Sequence, residues 1–153
     1  MTAHVRPKEF PFPVDVVWEG GRRTSAYVAG KRALQIATPP EFRGSDPDLW
    51  SPEDAFVAAA ASCLAVTIAA LAEREELPLA DLSVQAEGVI GRRADRRFGF
   101  VRLEQTVTLE TDAGQEQAAR ALVAKAEDGC LVTVSLDLPV TTTINVRAPT
   151  PSG

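Results

Sequence analysis

The residues most catalysts rely on are scarce in this sequence. Its 153 residues include one histidine, His4, one tyrosine, one methionine and two cysteines. A lone histidine so near a terminus, where chains fray, excludes Ser-His-Asp triads, His-rich zinc sites and most imidazole acid–base chemistry. No Walker-type loop and no Gly-x-Gly-x-x-Gly turn after a strand is present, which excludes the common phosphate cradles. Positive charge is also in deficit: 16 Lys and Arg face 21 Asp and Glu, for a net charge of −5. That balance argues against a nucleic-acid or anionic-membrane partner. "MTAHVRPKEFPFPV" at the start lacks the apolar core of a secretion signal, so a cytoplasmic location is expected. The longest apolar stretch, 55–72, is mostly alanine and carries Ser62 and Thr67, too weak for a membrane span. In a reducing compartment two cysteines do not read as a stabilising disulfide. Chemistry is left to Cys63, Cys130, carboxylates and arginines.

What is present fits one α+β domain over residues 1–148 with a disordered tail at 149–153. "FPVDVVWEGG" alternates Val14, Val16 and Trp18 before a Gly20-Gly21 turn; "TSAYVAG" and "RALQIAT" follow as short strands of an antiparallel meander. "PPEFRGSDPDLW" reads as a loop. Ser51 as N-cap, Pro52 at the first helical position, and Glu53 and Asp54 in the first turn predict a long helix running to about Glu76, with Pro78 beyond it. "DLSVQAEGVI" and "VRLEQTVTLE" are strands joined by "GRRADRRFGF". In the second, Val101, Leu103, Gln105, Val107 and Leu109 form the inward set. "GQEQAARALVAKAEDG" is a second helix, with Ala118, Leu122 and Lys125 at helical spacing and Gly129 as its stop signal. "VTVSL" allows a short helical turn, and "VTTTINVRA" closes as a strand.

The long helix is unusual for its run Ala58-Ala59-Ala60-Ala61-Ser62 just before Cys63. Small residues permit close packing but give up hydrophobic burial. Cys63 is then either one more small core residue or a thiol held on purpose. Each other feature has a plain alternative: Cys130 a loop cysteine, Arg22 and Arg23 a solvated turn, Glu53 a first-turn charge, and the arginines of 92–97 a solvated hairpin tip.

Taken together the segments point further. "SPEDAFVAAAASC" resembles the Pro-Glu-x-x-x-x-Ala-x-x-x-x-Cys segment of the OsmC/Ohr family of thiol-dependent hydroperoxide reductases. "AEDGCLVTVSL" is similar to that family's second motif, Cys-x-Val-(Ser/Thr)-x-(Ser/Ala)-Leu after a helix end. "GGRR" stands where the family carries an arginine, and the likeness covers nearly the whole chain. The resemblance implies an intertwined homodimer with antiparallel sheets around a long central helix. It makes Cys63 the peroxidatic and Cys130 the resolving cysteine, with Glu53 as the carboxylate and Arg22 as the catalytic arginine; Arg23 and Arg43 remain alternatives.

In that chemistry a guanidinium about 4–6 Å from a thiol favours the thiolate and can bind the departing alkoxide oxygen, while a carboxylate holds its fork. The thiolate opens the O–O bond, giving a sulfenic acid. The second cysteine forms a disulfide, and an external dithiol or a lipoyl-bearing protein reduces it. No flavin, haem or metal motif is present, and no cofactor is required. Phe42, Trp50 and Phe56 would supply apolar surroundings suited to organic or lipid hydroperoxides. Glu53 and Cys63 are ten residues apart, about 15 Å along a helix axis. Either the helix begins after Glu53, or Glu53 serves the Cys63 of a second chain packed antiparallel. Leu131, where the family often has proline, and Val134, at an often polar position, keep open a non-enzymatic small-ligand binder or a redox sensor on the same fold.

Overall fold

Two glycines turn the chain between its first strands. Gly20 and Gly21 adopt φ of +97° and +57°, open to glycine at little cost, and join β1 (Asp15–Gly20) to β2 (Arg23–Tyr27). With β3 (Leu34–Ala37) they form an antiparallel sheet ordered β1-β2-β3, the expected meander. The alternation in β1 buries neither face of that strand within this part of the chain, since Val16, Val17 and Trp18 are all exposed. The 39–50 loop contains one tight turn, Pro40–Phe42, ended by Arg43 in the left-handed region.

The structure, a computed structural model, describes residues 8–149; His4 and the segment 150–153 lie outside the described residues. The chain falls into two compact units, one through Pro52 and one from Glu53 onward.

The second unit is built on α1 (Pro52–Arg74), β4 (Asp81–Arg92), β5 (Phe98–Glu110), α2 (Glu116–Gly129) and β6 (Val140–Arg147). Helix α1 stops close to the expected place, and without glycine. Glu76 takes φ +53°, Leu77 N–H bonds Ala72 O at 2.9 Å, and Glu76 N–H bonds Glu73 O at 3.3 Å. That is a Schellman ending with glutamate in the left-handed position. The buried residues of α1 are Ala60, Leu64, Ile68 and Ala72, one stripe at four-residue spacing. By length and composition α1 is apolar enough to cross a membrane; in this fold the stripe lies against a sheet. Strand β5 buries Leu103, Gln105, Val107 and Leu109, as its alternation predicts.

Four expectations are corrected. The sheet β4-β5-β6 is antiparallel only between β4 and β5; β6 runs parallel to β5 in register from Leu103↔Val140 to Glu110↔Arg147. Helix α2 is the crossover that returns the chain to the same end, which a hairpin cannot do. The buried face of α2 is Ala119, Leu122, Val123 and Ala126, not Ala118 and Lys125. Lys125 is exposed and pairs with Glu75, whose carboxyl that hydrogen bond holds below its usual range. Gly129 is the last helical residue and has no positive φ. The hairpin arginines are more than a solvated tip: Arg93 donates to Phe100 O at 2.8 Å and to Asp137 O at 3.3 Å, clamping β5 to the approach to β6.

Helix and sheet come close at Gly88. A Cβ there would lie 2.6 Å from both Val57 Cγ2 and Phe100 Cε1, whereas at Gly91 it would meet only Val101 at 3.5 Å. Gly88→Ala is therefore expected to lower stability by about 1–3 kcal/mol through overpacking. Gly91→Ala should not lower it, and urea unfolding of the two variants checks the difference.

Candidate active site

Cys63 lies about three turns into α1, half-buried, and packs against the core cluster of Leu64, Ile68, Val107, Leu122, Val123 and Ala126, to which Cys130 belongs. Thr67, one turn on, donates its hydroxyl to Cys63 O at 2.7 Å. Such back-bonding satisfies the threonine inside an apolar helix. Cys130 is completely buried directly after α2, with its N–H on Glu127 O at 3.3 Å. The chain then winds through Thr133–Ser135, the short helical turn expected from "VTVSL". Two thiols 67 positions apart in sequence are thus brought into one packed cluster.

The electrostatics of Cys130 are set by opposed causes. Burial pushes its thiol up. The Thr133 hydroxyl, the Thr133 N–H, the Cys63 S–H and the Val132 N–H pull it down, and their sum prevails, leaving Cys130 below the ordinary cysteine range.

Glu53 is part of α1, which runs unbroken from Pro52 through Cys63. The alternative of a later helix start is thereby removed, and the axial separation of about 15 Å within one chain stands. Glu53 Oε2 is buried with no hydrogen-bond partner, a state that costs about 1–3 kcal/mol or more for a charged group. Phe56, one turn on, stacks on Phe100 with ring centroids 4.4 Å apart.

In the first unit Arg22 occupies the turn after Gly21 and donates to Phe42 O at 2.9 Å and Arg43 O at 3.2 Å. Arg22 also borders a cavity of about 370 Å³ lined by Trp18, Thr24, Ile36, Ala37, Thr38 and Pro52. Trp18 is oriented by its indole N–H on Gly21 O at 2.9 Å. Arg23 pairs with Asp46 at 3.7 Å, an exposed contact worth little. Arg43 contributes its left-handed backbone to the loop, and Trp50 is tied to β3 through Ala37 N–H on its carbonyl at 2.9 Å. The structure thus brings Cys63 and Cys130 together in one unit, and Arg22, Phe42 and Arg43 in the other.

Sequence reasoning assigned no role to Thr133, Gln105 or Thr142. Thr133 stood inside the quoted second motif, so its signal was present. Gln105 was counted as inward-facing, and its polarity was the signal. It pairs in register with Thr142, and Gln105 Oε1 and Thr142 Oγ1 are both buried without partners.

Comparisons with known proteins cover most of the chain. An uncharacterised protein of Bacillus subtilis, YmaD, is 29% identical over 119 residues, 75% of this chain and 79% of that protein. The structure of an OsmC-like protein of unknown function from Vibrio cholerae aligns with a TM-score of 0.81 at 16% identity, covering 89% of this chain and 99% of that one. An organic hydroperoxide resistance protein from Elizabethkingia anophelis aligns with a TM-score of 0.75 at 17% identity, covering 94% and 100%. The family model described as OsmC-like protein matches residues 45–145, a span that holds both cysteine motifs, α1, α2 and nearly all of the second sheet. The chain belongs to the OsmC-like protein family.

Proposed function

We propose that the protein is a thiol-dependent peroxidase that reduces organic hydroperoxides through Cys63 and Cys130. The observation that carries this reading is the placement of the two thiols in one core: a half-buried cysteine on α1 packs against the cluster that holds a fully buried cysteine after α2. The Cys63 thiolate attacks the O–O bond, giving Cys63 sulfenic acid and an alcohol once the alkoxide takes a proton. The Cys130 thiolate then attacks the Cys63 sulfur, hydroxide leaves as water after protonation, and a disulfide remains. A dithiol, free or lipoyl-bound, returns both thiols by exchange. An organic substrate over hydrogen peroxide is assigned from the family resemblance and from the aromatic side chains of Phe42, Trp50 and Phe56. Arg22 as the thiolate-stabilising cation and Glu53 as its anchor are assigned from their places in the family motifs.

A homodimer belongs to the same reading. Ala59, Ser62, Val66 and Ala69 are all exposed on α1 and follow a 3-4-3 spacing, the pattern of a helix–helix seam. Small side chains there let a second α1 approach closely. An antiparallel partner helix that crosses near Ala58 and Ala59, midway between Glu53 and Cys63, would bring its own Glu53 toward Cys63, the place that the separation of about 15 Å denies to the Glu53 of the same chain.

Two outcomes test these assignments. Wild type should consume cumene hydroperoxide with a dithiol, Cys63→Ser should lose turnover entirely, and Cys130→Ser should form sulfenic acid without the intramolecular disulfide. A wild type no faster than the double serine variant overturns the peroxidase. In analytical ultracentrifugation wild type should sediment as a dimer and Val66→Glu as a folded monomer by circular dichroism. Because Val66 is 65% exposed within one chain, this substitution tests the seam and leaves the core alone. A monomeric wild type removes the dimer.

A further inference from the structure

The buried face of β5 is apolar but for one residue. Leu103, Val107 and Leu109 are fully buried, and Gln105, between the first two, is only 3% exposed. On β6 the half-buried residues of the alternating pattern are Val140, Thr142, Ile144 and Val146, and again one is polar. The two exceptions coincide, because Gln105 pairs with Thr142 in the parallel register. Residues so paired lie about 5 Å apart on one face. Gln105 Oε1 and Thr142 Oγ1 are nevertheless both buried without a hydrogen-bond partner. Neither bonds the other, so both oxygens are open to a third group set between them.

Their position is level with the cysteines. Gly88 lies under Val57 of α1 and pairs with Leu103 of β5. Leu64, Ile68 and Ala72 then share one cluster with Val107 and Leu109, so α1 and β5 run the same way from that point. Cys63 is six residues beyond Val57, about 9 Å along the helix. Gln105 is two residues beyond Leu103 and Val107 is four, about 7 Å and about 13 Å along the strand. Cys63 therefore stands between the levels of Gln105 and Val107, nearer to Gln105. Cys130 belongs to the same cluster, and a Cβ on Gly129 would lie 3.7 Å from Thr67, one turn past Cys63. The neighbours at this level are small: Ala86 pairs with Gln105 from β4, and α1 passes with Ala60 buried and Ala61 half-buried. The Thr67 hydroxyl is already engaged on Cys63 O.

We propose that Gln105 and Thr142 are the seat of the Cys63 sulfenic acid, Gln105 Oε1 accepting its O–H and the Thr142 hydroxyl donating to its oxygen. The inference rests on the peroxidase reading, which supplies that intermediate. When the Cys63 thiolate attacks, its electron pair forms the S–O bond and the O–O bond breaks. The distal oxygen keeps its hydrogen and becomes S–O–H; the other leaves as alkoxide and takes a proton from water. The sulfur gives up two electrons and the peroxide takes two. A hydroxyl has then appeared within an apolar cluster, where it is costly without partners. Gln105 and Thr142 supply them, and their own unpaired oxygens are satisfied in the same step. An interaction missing before the reaction and present after it favours the intermediate over the reduced state. A hydrogen bond to the neutral O–H also disfavours its ionisation. The sulfenate is the better nucleophile toward a second peroxide, so the seat slows the passage to sulfinic acid.

The test uses the full chain carrying Cys130→Ser, in which the sulfenic acid has no resolving thiol. One equivalent of cumene hydroperoxide forms it, a fixed excess follows, and mass spectrometry times its conversion to sulfinic acid. Adding Gln105→Leu or Thr142→Val should speed that conversion about 3–10-fold, the effect of one hydrogen bond. Thr142→Ser, which keeps the hydroxyl, should leave it slow. Thr142→Val preserves shape and decides the matter if Gln105→Leu does not fold. Urea unfolding gives a second readout. Both apolar substitutions should leave the reduced protein at least as stable, since they remove unpaired polar atoms, and should make oxidation to the sulfenic acid lower the urea midpoint further than in Cys130→Ser alone. A merely structural pair would show neither the faster conversion nor that split between redox states. Equal conversion rates in all four proteins overturn the seat while the peroxidase stands, and mean that the two oxygens hold trapped water only. If Cys130→Ser forms no sulfenic acid, the peroxidase reading falls and the seat falls with it.

Discussion

The close seating of α1 on the β4-β5-β6 sheet is the constraint on which the second unit depends. Burial of Leu64 and Ile68 supplies about 1.5–3 kcal/mol each, and Ala60 and Ala72 add little area. Their value is distance: without bulk at these positions, and with no side chain at Gly88, the helix lies directly on the strands. Cys63 can then reach the residue that follows α2. A larger residue at Ala60 or Gly88 would lift the helix and carry the thiol with it.

Most of the architecture was legible because its signals are local. The strand alternation of β5, the Pro52–Asp54 start of α1 and the Gly20-Gly21 turn each act over a few residues. The cysteines were legible through motif spacing. What escaped notice depends on partners distant in sequence. The parallel pairing of β6 is decided by where α2 delivers the chain, which no property of "VTTTINVRA" encodes. The inward face of α2 turns on whether Ala118 or Ala119 meets the core, a choice of 100° that two adjacent alanines leave undetermined. Lys125 was drawn outward by Glu75, 50 positions earlier. Arg93 is bound to carbonyls on two other segments, so its basic neighbourhood alone looked like a solvated tip.

Polar atoms are placed sparingly within the second unit, and each is informative. Gln105 and Thr142 share a register position on adjacent strands and leave oxygens unpaired, where two apolar residues would have been more stable. Around Cys130 the backbone is satisfied, its N–H bonding Glu127 O and its carbonyl accepting from Val134 N–H.

The parallel crossover has a consequence for synthesis. Sheet β4-β5-β6 cannot close until residues 111–139 have emerged and β6 has followed, and pairing over such separations is slow. At about 5–20 residues per second, the ribosome releases Cys63 roughly 3–13 s before Cys130. Through that interval the nascent helix carries a thiol whose covering partner does not yet exist. Only the reductant around the ribosome, and not the fold, keeps it intact.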